Sequence, residues 1–165
     1  IIFPPFPVQE DAFSIGRPVV FPLRSLLERE YTCGIVLIAW GTYAAGIFKG
    51  DRLLGYKKGT GHIHKKHRKG GSSQMRFARR IDEQRRSFLV RASKNLEELF
   101  KAYQPDWILY GGNRLLLKPL IEEVTYLRSN PGRISIRFPD VRTADRGTLL
   151  GKAEDISSSI LFDFD

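Results

Sequence analysis

Residues 32–60, TCGIVLIAWGTYAAGIFKGDRLLGYKKGT, hold three apolar-rich runs separated by short glycine-containing breaks. The first, TCGIVLIAW, is rich in Ile and Val and reads as a buried strand. TYAAGIFKG and DRLLGYKKG follow at once, with Gly41 and the Gly50-Asp51 pair supplying turn chemistry between them. Three consecutive strands joined in this way predict an antiparallel meander. Downstream, GTGHIHKKHRKGGSS (59–73) has no apolar periodicity and reads as a glycine-rich loop. From Ser73 the pattern turns helical. Phe77, Ile81, Phe88, Leu96, Leu99, Phe100 and Tyr103 fall on one side at spacings built from three and four, with Ala92 in the same stripe. Arg76, Arg79, Arg80 and Arg86 lie largely off that stripe. Ser72 or Ser73 can cap the start by accepting from a free backbone N–H. A helix ending near Gln104-Pro105 is ~45 Å long at 1.5 Å per residue.

Beyond it, DWILYGG is a buried strand stopped by two glycines. Asn113 can cap the next helix, whose apolar side is Leu115, Leu116, Leu120, Val124 and Leu127. RISIRF alternates as a short strand, VRTADRGTLLGKAEDI holds a final helix, and SSILFDFD is a tail or edge strand. Residues 1–30 open Pro-rich with PPFP and carry one short apolar element, VVFPLRSLLER. They are expected to be an N-terminal extension or the remnant of a preceding segment, and the lack of an initiator Met fits a fragment. The order of elements predicts an α/β fold with a mixed β-sheet, the three-strand antiparallel meander plus further strands, packed with helices in a ribonuclease-H-like layer. That architecture invites a nuclease reading, which the residues oppose. Two-metal nucleases of this shape need carboxylates projecting from the central strands, and IVLIAWGTYAAGI contains no Asp or Glu.

At 165 residues the chain suits one domain with a real core. No apolar run approaches the ~20 residues of a membrane-spanning helix, and IIFPPFPV lacks the marks of a signal peptide, so no membrane partner is expected. A lone cysteine, Cys33, cannot form an internal disulfide, which makes a reducing cytoplasm the expected compartment. The charge is more informative. Residues 57–86 hold 11 Lys or Arg against 2 acids, while the remaining 16 basic and 16 acidic residues cancel. The whole formal excess of +9 therefore sits in one 30-residue segment. A concentrated patch makes a local field suited to a polyanion, whereas a merely solvated face interleaves both signs.

Three chemistries compete for residues 59–80. His62, His64 and His67 form H-x-H-x-x-H, but Lys65, Lys66, Arg68 and Lys69 surround them and no fourth ligand lies near, so no metal and no cofactor is expected. KGGSS is not a phosphate-cradling loop of the G-x-x-x-x-G-K type, because Lys69 precedes the glycines. Backbone N–H groups at Gly71–Ser73, opening a helix, would still welcome a phosphate. The third chemistry is cleavage of an ester between a peptide and the terminal ribose of a tRNA. A basic loop and helix hold the anionic tRNA end. Two glycines let the backbone approach the ester closely, and N–H groups beside a neutral amide stabilise the oxyanion while the amide orients water.

KGGSSQMRFARRIDEQ resembles the catalytic loop and following helix of the eukaryotic and archaeal peptide-chain release-factor superfamily, whose hallmark is Gly-Gly-Gln, and is most similar to its Vms-type branch of peptidyl-tRNA hydrolases. DWILYGGNRLLLKPL resembles the later strand-then-glycine segment of the same domain, so the likeness covers roughly residues 30 to 140. It implies that residues 31–165 form a catalytic domain like the release-factor middle domain, with a long basic helix after a Gly-rich loop. It implies that Gln74 is the catalytic glutamine, with Gly70 and Gly71 the catalytic glycines, and that Arg76, Phe77, Arg79 and Arg80 start the helix. Together with Lys65, Lys66, Arg68, Lys69, Ser72 and Ser73, Arg76, Arg79 and Arg80 form the expected RNA-binding set. Ser72 and Ser73 separate the glycines from Gln74, so the tripeptide is not continuous, and a helix starting at Ser72 would hold Gln74 in its first turn. The implied function is release of nascent peptide from peptidyl-tRNA on stalled ribosomes or large subunits. Two alternatives stay open: a non-catalytic RNA- or ribosome-binding module, and endonucleolytic cleavage of the tRNA 3′ end. No codon-reading domain is recognisable, so stop-codon specificity is not expected.

Overall fold

The structure, a computed structural model, describes residues 2–3, 6, 19–64, 72–138, 141–156, 158 and 160–161. The meander forms as the apolar runs predict. Strands β2 (Thr32–Ala39), β3 (Thr42–Lys49) and β4 (Arg52–Thr60) pair antiparallel in sequence order. Gly41 closes the first turn at φ +90°, a conformation that a side chain disfavours. On the other side of β2 the sheet continues parallel, through β5 (Trp107–Gly112) and β6 (Ile134–Phe138), giving the order β4-β3-β2-β5-β6. Parallel neighbours need long crossovers. The helix α2 (Ser72–Tyr103) makes the first, and α3 (Leu117–Glu123) with α4 (Thr125–Ser129) make the second.

Alternation along β2 divides the core in two. Val36 and Ile38 face Phe88, Leu96 and Phe100 of α2 and Leu116 and Leu120 beyond β5. Ile35 and Leu37 face the opposite layer, with Leu26 of α1 (Phe21–Glu28) and Leu149 of α5 (Arg146–Ala153). Both faces are covered, which is why Cys33 to Ile38 read as an unbroken apolar run. Phe6 joins the second layer, its ring 4.7 Å from Tyr31 and 5.9 Å from Trp107. The short β1 (Ile2–Phe3) pairs antiparallel with β7 (Ile160–Leu161), so the tail supplies a strand outside the main sheet.

Three local expectations are corrected. Strand pairing carries β4 through Thr60, opposite Thr42, and α2 starts at Ser72, so the loop is shorter than 59–73 at both ends. Backbone ladders do not require apolar side chains, which is why the extra strand residues leave no periodic signal. The helix after Asn113 is not continuous. It begins as a 3-10 turn at Arg114–Leu116, with the Asn113 side chain accepting from Leu115 N–H at 2.9 Å, and breaks at Val124, whose backbone is extended. The tighter three-residue period turns Leu115 outward, 79% exposed, off the apolar side expected of it. Tyr103 is also partly exposed, held at the surface by its hydroxyl donating to the Leu54 carbonyl at 2.8 Å.

Candidate nucleic-acid interface

The long helix is docked along only part of its length. From Ile81 onward its stripe is buried through Phe88, Ala92, Leu96, Leu99 and Phe100. Polar contacts at the stripe's edge fix its rotation: the Asn95 amide donates to the Tyr43 hydroxyl at 2.6 Å, and Lys57 pairs with Glu98 at 3.1 Å. Gly55 of β4 makes room for Tyr103 of this helix, and Gly59 makes room for Tyr43, the β3 ring across from it that Asn95 holds. A Cβ at either would come within 2.5 Å of the Tyr103 or Tyr43 ring. Before Ile81 the helix has two and a half turns in which Met75, Arg76, Ala78, Arg79 and Arg80 are exposed. Nine residues at 1.5 Å each extend this end ~13 Å past the first buried position.

Among the described residues, no acid of the domain pairs with the cations of the overhang. Among the described residues no ion pair or hydrogen bond engages Arg76, Arg79, Arg80 or Arg86. Arg85 meets Asp82 at a long 3.9 Å. The basic set predicted from sequence thus divides. Arg76, Arg79 and Arg80 are exposed on one helix end. Ser72, Ser73 and Gln74 are the first three residues of that helix, so Gln74 stands in its first turn. Lys65, Lys66, Arg68, Lys69, Gly70 and Gly71, with His67, lie outside the described residues.

Two features at the base of the overhang carried no sequence signal of their own. The side-chain amide of Gln84, midway up α2, lies 2.8 Å (Nε2) and 3.1 Å (Oε1) from His64 Nδ1, and its oxygen accepts the His64 backbone N–H at 3.1 Å. That contact ties the chain leaving β4 to the helix, and the His64 ring meets Phe77 edge-on at 5.9 Å. Beside it, Trp40 in the β2–β3 turn stacks against Arg85, the guanidinium carbon 4.8 Å from the ring centroid. A histidine within hydrogen-bond reach of a glutamine twenty residues away, or a turn tryptophan under a helix arginine, is a tertiary coincidence that no spacing rule reports.

Elsewhere the chemistry is structural. Asp106, the one acid at the entrance to β5, accepts from Thr32 N–H at 2.9 Å and so clamps the two parallel strands. Burial, with the Asp106 charge second, pushes the Cys33 thiol up to about 12, which leaves no thiolate for nucleophilic work. No helix among the described residues is long and apolar enough to cross a membrane.

Residues 31–156 match the family described as the Actinobacteria/chloroflexi VLRF1 release factor. The chain belongs to that Vms-like release-factor family. This VLRF1-family chain is also similar to curated archaeal proteins. It is 29% identical over 102 residues to peptide chain release factor subunit 1 of Methanopyrus kandleri, across 61% of the chain and 25% of that protein. It is 24% identical over 145 residues to the same factor of Saccharolobus solfataricus, across 74% of the chain and 38% of that protein. The chain therefore spans well under half the length of these relatives. Its fold matches the solved archaeal translation termination factor aRF1 with a TM-score of 0.54 at 16% identity, over 82% of this chain and 38% of that one. The mixed-sheet, release-factor-like architecture expected from the sequence is the one observed.

Proposed function

We propose that this VLRF1-family domain hydrolyses the ester between a nascent peptide and the 3′ end of tRNA, on a stalled ribosome or a separated large subunit. The observation that carries the reading is the cationic end of α2, where Arg76, Arg79 and Arg80 meet no acid among the described residues and Gln74 stands in the first turn, within a release-factor family. The cations of residues 65–80 engage the tRNA phosphates and hold the acceptor end against the loop. The Gln74 amide orients a water without adding charge, and backbone N–H groups at Gly70 and Gly71 receive the developing oxyanion. The water oxygen bonds to the carbonyl carbon and the ester C–O bond breaks. The neighbouring 2′-hydroxyl relays one of the water's protons to the leaving 3′-oxygen and the other passes to solvent, so free tRNA and a peptide carboxylate result. No metal or cofactor is called for, and the compartment is that of translation, the cytoplasm.

Turnover of peptidyl-tRNA with large ribosomal subunits tests the proposal. Gln74→Ala is expected to lower the rate at least about a hundredfold, the size of a lost water-positioning or oxyanion contact, with tRNA affinity nearly unchanged. Loss of affinity with retained turnover would refute the assignment of Gln74. Peptide released with nucleotides still attached would mean cleavage within the tRNA 3′ end. Binding without any release would mean an RNA-binding module.

A further inference from the structure

We infer that Trp40 and Arg85 form a stacking site for an unpaired RNA base, distinct from the terminal nucleotide that carries the ester. The inference rests on RNA being the ligand of the α2 cations, as proposed above, and adds a second point of contact.

Trp40 occupies the two-residue turn between β2 and β3, where small and polar residues are usual. It is 36% exposed, yet its ring is pinned from within the fold. Phe88 lies 6.4 Å away at 52°, and the Arg85 guanidinium stacks on it from the helix. The indole therefore needs no ligand to hold its orientation, which lowers the ordering cost of binding. The Arg85 side chain is 44% exposed, and its one ion pair among the described residues is the 3.9 Å contact with Asp82. A flat cation stacked on an indole at the surface offers a π face and a positive charge in one place.

The site lies at the carboxyl ends of the paired parallel strands β2 and β5, where open α/β sheets tend to bind ligands. The Gly61 N–H donates to the Gly41 carbonyl at 2.8 Å, so the residues flanking that pair, Trp40 and His62, emerge at the same end of the sheet. His62 is exposed and meets the His64 ring edge-on at 4.6 Å, and His64 in turn meets Phe77. Rings thus continue toward the basic end of the helix. Arg85 is eleven residues beyond Gln74, ~16 Å along the helix axis, too far for both to touch one nucleotide. An apolar protein partner would bury unpaired guanidinium groups here, at a desolvation cost. A single-stranded polyanion with stackable bases satisfies the cations and the rings together.

Binding of a short oligoadenylate, compared with the same oligomer carrying abasic riboses, tests the inference on the intact chain. The base-bearing oligomer is expected to bind about tenfold more tightly, in the range of a single stacking contact. It should also quench Trp40 emission, since Trp107 is enclosed against Phe6. Trp40→Leu keeps an apolar group on Phe88 and should equalise the two oligomers, while Trp40→Tyr should restore the preference. Arg85→Gln leaves the indole packed on Phe88 and should reduce the preference several-fold, so the test survives if Trp40→Leu fails to fold. Equal affinity of wild type for both oligomers, no binding of either, or an unchanged preference in Trp40→Leu or Arg85→Gln would overturn the site. Gln74→Ala should keep the preference whatever it does to turnover. A failed hydrolase assay with base preference intact would thus remove the hydrolytic reading and leave this one standing.

Discussion

Gly112 shows how much of the architecture hangs on single backbone positions. It ends β5 at φ +98°, and a Cβ there would stand 2.3 Å from the Ile38 carbonyl oxygen, the atom that accepts Asn113 N–H at 2.9 Å. Gly112→Ala meets both the left-handed backbone and the clash, so a loss on the order of 3 kcal/mol is expected from the denaturant midpoint. Gly132→Ala, with open space around the new methyl, serves as the neutral control. Asp145 makes a different kind of single-residue contribution. Its carboxylate accepts the Thr148 N–H at 2.8 Å to cap α5, and that hydrogen bond holds its pKa below the usual value. A folded pKa below the unfolded one means the stabilisation is fully present above the unfolded value, about 3.9. It is lost as pH falls through the folded pKa. Asp145→Asn keeps a capping oxygen without the titration, so the stability gap between wild type and variant should be constant at neutral pH and close in acid. A gap unchanged down to the acid transition would contradict the assignment. At this scale the sequence was partly legible. Asn113 announced its cap, because a polar residue after two glycines and before a run of leucines has few other uses. Leu115 announced a burial it does not have, because a 3-10 turn and an α-helix share the same residues but not the same period.

The element that matters is α2, two-thirds core and one-third arm. Its apolar stripe was readable because the 3.6 period repeats over many turns and the burial follows it from Ile81 to Phe100. The arm was readable from composition, since a helix end this rich in arginine and poor in acids has no way to neutralise itself. Replacing Arg79 and Arg80 together should therefore barely move the melting temperature, because both are exposed and unpaired among the described residues. The same change should flatten the dependence of tRNA affinity on log salt by about 1.4–1.8, two phosphate contacts' worth of released counterions. An unchanged slope would take both residues out of the contact surface. What periodicity could not show is the underside of the arm, where Gln84 holds His64 and Arg85 covers Trp40. Those pairs join positions 20 and 45 residues apart, and their distance is fixed by how the helix crosses the sheet.

Across the whole molecule, charge and hydrophobicity are segregated. The formal excess of +9 lies within residues 57–86, and part of it, Lys57, is spent on the ion pair with Glu98 that docks the helix. Of the rest, Arg76, Arg79 and Arg80 are exposed on the helix end that precedes its buried stripe, while the core's two faces are each closed by helices. A charged helix end of this kind presents its field outward, a field suited to a polyanion. The sequence by itself determined the three-strand meander, the long helix, its basic end and the release-factor family, because these depend on local period, composition and motif, quantities that a linear chain carries openly. Only the tertiary structure decided that β5 lies parallel beside β2, that Leu115 faces out, and that Trp40, Arg85, His64 and Gln84 converge beneath the arm. Each of those is a contact between segments distant along the chain, and its free energy depends on how the segments pack rather than on what either one is made of.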